Sequence, residues 1–150
     1  MASPGRIWRA IRQLSWAERG LAGRAWILLP LTAAGLRVLG FRRTQAALGS
    51  ADRNAHGRHN LAEATAVARI VHATANFHPV HASCLVRSLV LGRLLQRRGL
   101  SASLRIGVAK PAGALDAHAW IEHGGVALAE PGTPSDRYSP FDELSLDRGI

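Results

Sequence analysis

The 150-residue chain has one cysteine, one lysine, one methionine and one tyrosine. With Cys84 as its only thiol it cannot close an internal disulfide or assemble a four-cysteine or Cys₂His₂ zinc site, and the other histidines have no regular ligand spacing. No metal is expected, and a free thiol suits a reducing compartment, so a cytoplasmic location is expected. Lysine is confined to Lys110, so arginine carries almost all of the net charge of +9. Arg6, Arg24, Arg42, Arg53, Arg69, Arg97 and Arg137 are spread along the chain without the interleaved aromatics of single-strand binders, so nucleic acid is not an expected partner. An acidic peptide segment is an alternative use of the charge. Long apolar runs are also missing. The most hydrophobic stretch, Ala25 to Leu36, is 12 residues bracketed by Arg24 and Arg37, against the roughly 20 a bilayer-spanning helix needs. It reads as a buried or surface-docked helix without stable membrane insertion, loose membrane contact through Trp8, Trp16 and Trp26 being the alternative. The more than twenty residues before it do not fit a signal peptide. There is no internal repeat and no phosphate-binding glycine loop, and no cofactor is implied.

What is present organises into helices followed by strands. Ser15-Trp16-Ala17-Glu18 has capping-box spacing, starting a helix that runs toward Gly40 with a kink at Pro30. Asn60 and Glu63 repeat the cap signal, with Leu61, Ala64, Thr65, Ala68 and Val71 on one face of a helix ending near Thr74. Residues 49–60 read as a loop. Ser83 caps a third helix through Leu85, Leu89, Leu94 and Leu95, with Arg97 and Arg98 in its last turn and Gly99 as its stop. The period then changes to strands over 102–108, 117–122 and 126–130. The tail from Pro131 is polar and turn-rich and wraps the surface or is disordered. The order predicts an α+β fold, with a helical region over residues 1–50 and a core over 51–150.

Cys84 follows the cap Ser83, where unpaired N–H groups and the positive helix end favour a thiolate and can receive an oxyanion. A small buried hydrophobe is the equal alternative from position alone. His118 stands 34 positions later. A three-residue loop at His123-Gly124-Gly125 would pair Glu122 with Val126 and so bring Glu130 opposite His118, a carboxylate to orient an imidazole beside a thiol. A two-residue loop would send Glu130 to the other face. Asp116 is set aside as an orienter because its side chain is expected on the face opposite His118. His78 and His81 line the cleft or are solvated; His72 is read as a helix-end cap or surface group, and His56 and His59 as loop residues. Arg87 either binds a substrate carboxylate or pairs with Glu122, and Trp120 either shields the site or packs in the core.

Cys84-Leu85-Val86-Arg87-Ser88-Leu89, Leu95-Gln96-Arg97-Arg98-Gly99, Leu104-Arg105-Ile106-Gly107-Val108 and Ala117-His118-Ala119-Trp120-Ile121-Glu122 together resemble the B proteins of lasso-peptide biosynthesis, transglutaminase-like cysteine proteases. The resemblance covers about residues 60 to 130. It implies a transglutaminase- or papain-like core, with the nucleophile Cys84 at a helix N-terminus packed on a short antiparallel sheet. It further implies hydrolytic removal of a leader peptide, His118 acting as base and then acid. The acidic position twelve residues after the histidine, usually aspartate, is Glu130 here; its longer side chain can still accept from imidazole. No leader-recognition segment is recognisable at the front, so the resemblance is to the split form. The implied partners are the precursor peptide, a separate leader-binding protein and the lasso cyclase. An acyltransferase or transglutaminase on the same scaffold, or a non-catalytic partner-binding scaffold, are the alternatives.

Overall fold

The structure, a computed structural model, describes residues 15–49, 57–109 and 116–140. Trp8, His56, the linker around Pro111 and the tail beyond residue 140 lie outside them. Helix α1 (Trp16–Val38) begins on the expected capping box: Ser15 Oγ accepts from Glu18 N–H at 3.3 Å and Glu18 accepts from Ser15 N–H at 2.8 Å. The bond from the Ser15 backbone N–H foremost, and the Ser15 hydroxyl after it, hold the Glu18 carboxyl below its usual range. The helix continues through Pro30 as one element. It ends at Leu39, whose N–H reaches Gly35 O, and Gly40, at φ 77°, turns the chain into α2 (Gly40–Leu48).

Asn60 Oδ1 accepts from Glu63 N–H to start α3 (Leu61–Phe77), which runs to Phe77, beyond the expected end near Thr74. Its buried stripe is Ala64, Val67, Ala68, Val71, Thr74 and Ala75, while Leu61 and Thr65 are exposed. Ser83 Oγ accepts from Val86 N–H to start α4 (Cys84–Gln96), and Gly99 ends it at φ 69°, Leu100 N–H returning to Leu95 O. Helix α4 is buried on nearly every side because Val86, Leu89, Val90, Leu91, Leu94 and Leu95 leave no polar face in its middle turns. It packs against α1 and α3 on one side and the sheet on the other. Leu21, Ala25 and Leu29 of α1 share one core with Ala64, Val71, Val90, Leu94 and Ile121.

The strands are β1 (Ser103–Ala109), β2 (Asp116–His123), β3 (Val126–Ala127) and β4 (Ser139–Pro140), in sheet order β3-β2-β1-β4 and antiparallel throughout. A single helical turn, α5 (Pro134–Arg137), precedes β4. The fold is α+β.

One register expectation is corrected. The hairpin loop has two residues, Gly124 and Gly125, at φ 57° and 81°, and it pairs His123 with Val126 and Glu122 with Ala127. Two successive positive φ values define the tightest hairpin turn, and two glycines adopt them at no steric cost. The strand expected over 126–130 accordingly stops at Ala127.

His123 therefore lies in β2, not in the loop, and is 2% exposed. Its Nε2 accepts from Asn60 N–H at 3.0 Å while Nδ1 lies 2.7 Å from Ser101 O. A neutral ring protonated on Nδ1 satisfies both, tying the start of α3 to the segment before β1. His123→Leu is expected to lower stability by about 1–3 kcal/mol by leaving these backbone groups unpaired. A shift in the urea midpoint with little change in slope is the check.

Candidate functional site

A cavity of about 350 Å³ opens where the N-terminus of α4 meets β2 and the segment after β3. Its lining includes Cys84 and Arg87 from α4, His118 from β2, Glu130 from the segment after β3, and His72 from α3. Cys84 is the first residue of α4 and is partly exposed, at the positive end of the helix dipole. One turn on, Ser88 Oγ donates to Ala119 O at 2.9 Å. That buried bond pins the first turns of α4 against the strand carrying His118, next to Ala119 in sequence.

His118 Nε2 lies 2.9 Å from Glu130 Oε2, with both side chains mostly buried. The pair forms in spite of the two-residue loop. Continued as a regular strand, the observed register would place Glu130 opposite Ala119 and on the wrong face. Pairing ends instead at Leu128, whose N–H reaches Ile121 O at 2.9 Å, and Ala129 adopts φ 55°, which swings the chain back so that Glu130 meets His118. A left-handed alanine costs about 1 kcal/mol. With Nε2 held by the carboxylate, Nδ1 is the ring nitrogen left for a thiol.

Asp116, expected to point away, shares the face of His118 two residues along β2. It does not hold His118: it accepts from Tyr138 Oη at 3.0 Å. That bond, first among the causes, pushes the Tyr138 phenol above its usual value. Tyr138 lies over the face of β2 with its ring 5.2 Å from His118 and 6.4 Å from Trp120. Trp120 is 1% exposed and donates to Glu122, which also pairs with Arg105 at 3.0 Å. Glu122 is thus not Arg87's partner. Arg87 donates to Ala82 O and Asn76 Oδ1, each at 3.0 Å, which fixes its guanidinium at the cavity wall. His81 lines the cavity; His78 packs against Trp26 with ring centroids 4.4 Å apart and planes tilted by 56°, and accepts from Val80 N–H. His59 is exposed, beside Ser101 and His123.

His72, expected as a helix-end cap or surface group, is placed differently by the structure. It lies inside α3, four residues after buried Ala68 and next to buried Val71, so the helix turns it inward toward the cavity. Burial lowers its pKa from the usual 6.5; Glu130 opposes this, and Arg87 and His118 add to it. The unfolded chain therefore takes up a proton near pH 6.5 that the folded chain resists. Stability is expected to fall as pH drops below that value and to level off below the folded pKa. His72→Gln should flatten this part of a pH series of urea-unfolding free energies.

Among the described residues no group of three or more His, Cys, Asp or Glu is placed to hold a metal ion. The arrangement is suited to acyl chemistry: a thiol at a helix N-terminus, and an imidazole backed by a carboxylate, in one cavity. The family model of the transglutaminase-like superfamily matches residues 25–143, which includes every cavity-lining residue. The chain belongs to the transglutaminase-like superfamily. Members of this superfamily are usually cysteine-dependent enzymes, protease-like or acyltransferase-like in their chemistry. No curated protein and no solved structure matches the chain significantly. In this transglutaminase-like chain the match begins within α1, so the helical front end contributes to the family domain.

Proposed function

We propose that the protein is a cysteine endopeptidase that removes the leader from a ribosomally made lasso-peptide precursor. The observation that carries the reading is the 2.9 Å His118–Glu130 pair in the same cavity as Cys84. The resemblance of the four sequence stretches to lasso B proteins supports the choice of substrate.

In the proposed cycle His118 Nδ1 takes the thiol proton and the Cys84 sulfur attacks the scissile carbonyl. The oxyanion lies toward the first-turn N–H groups of α4. As the C–N bond breaks, His118 returns the proton to the departing amine of the core peptide, and the leader remains as a thioester on Cys84. Water then gives a proton to His118 and its hydroxide attacks the thioester; the leader leaves with a free carboxylate and Cys84 recovers its proton. Glu130 accepts from Nε2–H throughout, fixing the tautomer and stabilising the imidazolium. No step needs a metal or cofactor. The proposed partners are the precursor, a separate leader-binding protein and the cyclase, in the cytoplasm.

Incubation with precursor and leader-binding protein, followed by mass spectrometry, is the test. Two fragments whose masses sum to that of the precursor plus one water support hydrolysis. Transfer of the leader acyl group to an amine would assign an acyltransferase instead, and an unchanged precursor would point to a non-catalytic scaffold.

A further inference from the structure

Helix α1 has two apolar faces, and among the described residues only one of them is packed against the rest of the protein. Leu21, Ala25, Leu29 and Thr32 are buried toward α3 and α4. On the opposite side, at the spacing of a single helical stripe, Trp16, Ile27, Leu31 and Val38 are 86%, 61%, 62% and 80% exposed. Gly20, Gly23 and Ala34 fill the positions between them, also exposed. The helical period sets Arg24 on one flank of this stripe and Arg19 and Arg37 on the other. Arg19 lies 5.3 Å from the Trp16 ring, while Arg24 and Arg37 are exposed. Exposed Phe41, Arg42 and Arg43 continue the same character into α2. From Ser15 to Gly49 there are five arginines and one acidic residue, Glu18.

We propose that this face docks the protein on an anionic lipid membrane, with α1 lying parallel to the surface. Apolar side chains along one stripe, an aromatic at its end and arginines on both edges match an interfacial helix, whose apolar face enters the acyl boundary while cations meet lipid phosphates. By length and composition alone α1 could cross a bilayer. Its opposite face, however, is packed on α3 and α4 in the shared core, so the helix stays flat with only its outer side available. The stripe is a convex ridge on one helix. A peptide anchor needs a groove, whereas a fluid surface can close around a ridge. A second copy across the same face would set arginine against arginine with only Glu18 to answer. Docking is independent of the peptidase reading.

The test is flotation of the full chain with vesicles of phosphatidylcholine alone and of phosphatidylcholine containing phosphatidylglycerol. Two sets of exposed-site variants accompany it: Ile27→Ser with Leu31→Ser and Val38→Ser, and Arg24→Glu with Arg37→Glu, each checked for native circular dichroism. The expected result is binding to the anionic vesicles, weakened by salt, and at least about tenfold weaker for either variant set. Failure to float with anionic vesicles, equal binding to neutral ones, or binding unchanged in both variant sets overturns the proposal. Self-association in the absence of lipid that the triple serine variant abolishes would assign the face to a second copy and also overturn it.

Discussion

Cys84→Ala is expected to reduce leader cleavage by roughly 10⁴-fold or more while changing stability by less than about 1 kcal/mol. The asymmetry follows from where the side chain sits. Cys84 is the first residue of α4 and partly exposed, so removing its sulfur leaves no large cavity, and alanine is a good helix former. The cap bond from Val86 N–H to Ser83 and the Ser88–Ala119 bond, which set the position of the turn, do not involve the cysteine. On the proposed function, cleavage should therefore fall while the fold and the binding of a leader-binding protein persist. Full retention of cleavage, measured by mass spectrometry of the products, would contradict the assignment of the nucleophile.

Glu130→Gln is expected to cost about 10²–10⁴-fold in turnover. The amide keeps the shape of the carboxylate and can still meet His118 Nε2, but it carries no charge to stabilise the imidazolium formed when the thiol gives up its proton. The effect should fall on kcat more than on KM, since Glu130 acts through His118. Stability should change by less than about 1 kcal/mol, because the amide fills the same space and its carbonyl oxygen can still accept from Nε2–H. Urea unfolding and steady-state kinetics on one preparation separate the two effects. Equal proportional loss of stability and turnover would make Glu130 a residue of the hairpin end and nothing more.

The parts of the fold legible in the sequence are those fixed by local chemistry. Ser15, Asn60 and Ser83 start their helices because each side-chain oxygen takes an orphan N–H a few residues on, and Gly99 ends α4 because it tolerates a positive φ. The alternation through Leu104, Ile106 and Val108 marks β1 for the same kind of reason. The hairpin register was not legible from the strands. It depends on whether His123 joins the loop, and a buried pair of bonds to Asn60 and Ser101, both distant in sequence, keeps it in the strand. Nor does the sequence advertise the left-handed turn at Ala129 that returns Glu130 to His118, since alanine is an ordinary strand and helix residue. The His118–Glu130 contact was expected through one geometry and is made through another. His72 and Tyr138 were missed because only tertiary packing brings α3 and the segment after β3 to the face of β2.

The chain's single cysteine permits one direct measurement: the rate at which iodoacetamide alkylates the protein at neutral pH, since every adduct reports Cys84. A thiol activated by the His118–Glu130 pair should react faster in the folded protein than in the urea-unfolded chain, and His118→Ala should remove the excess. A folded-state rate below that of the unfolded chain and unaffected by His118→Ala would mean that Cys84 only fills space.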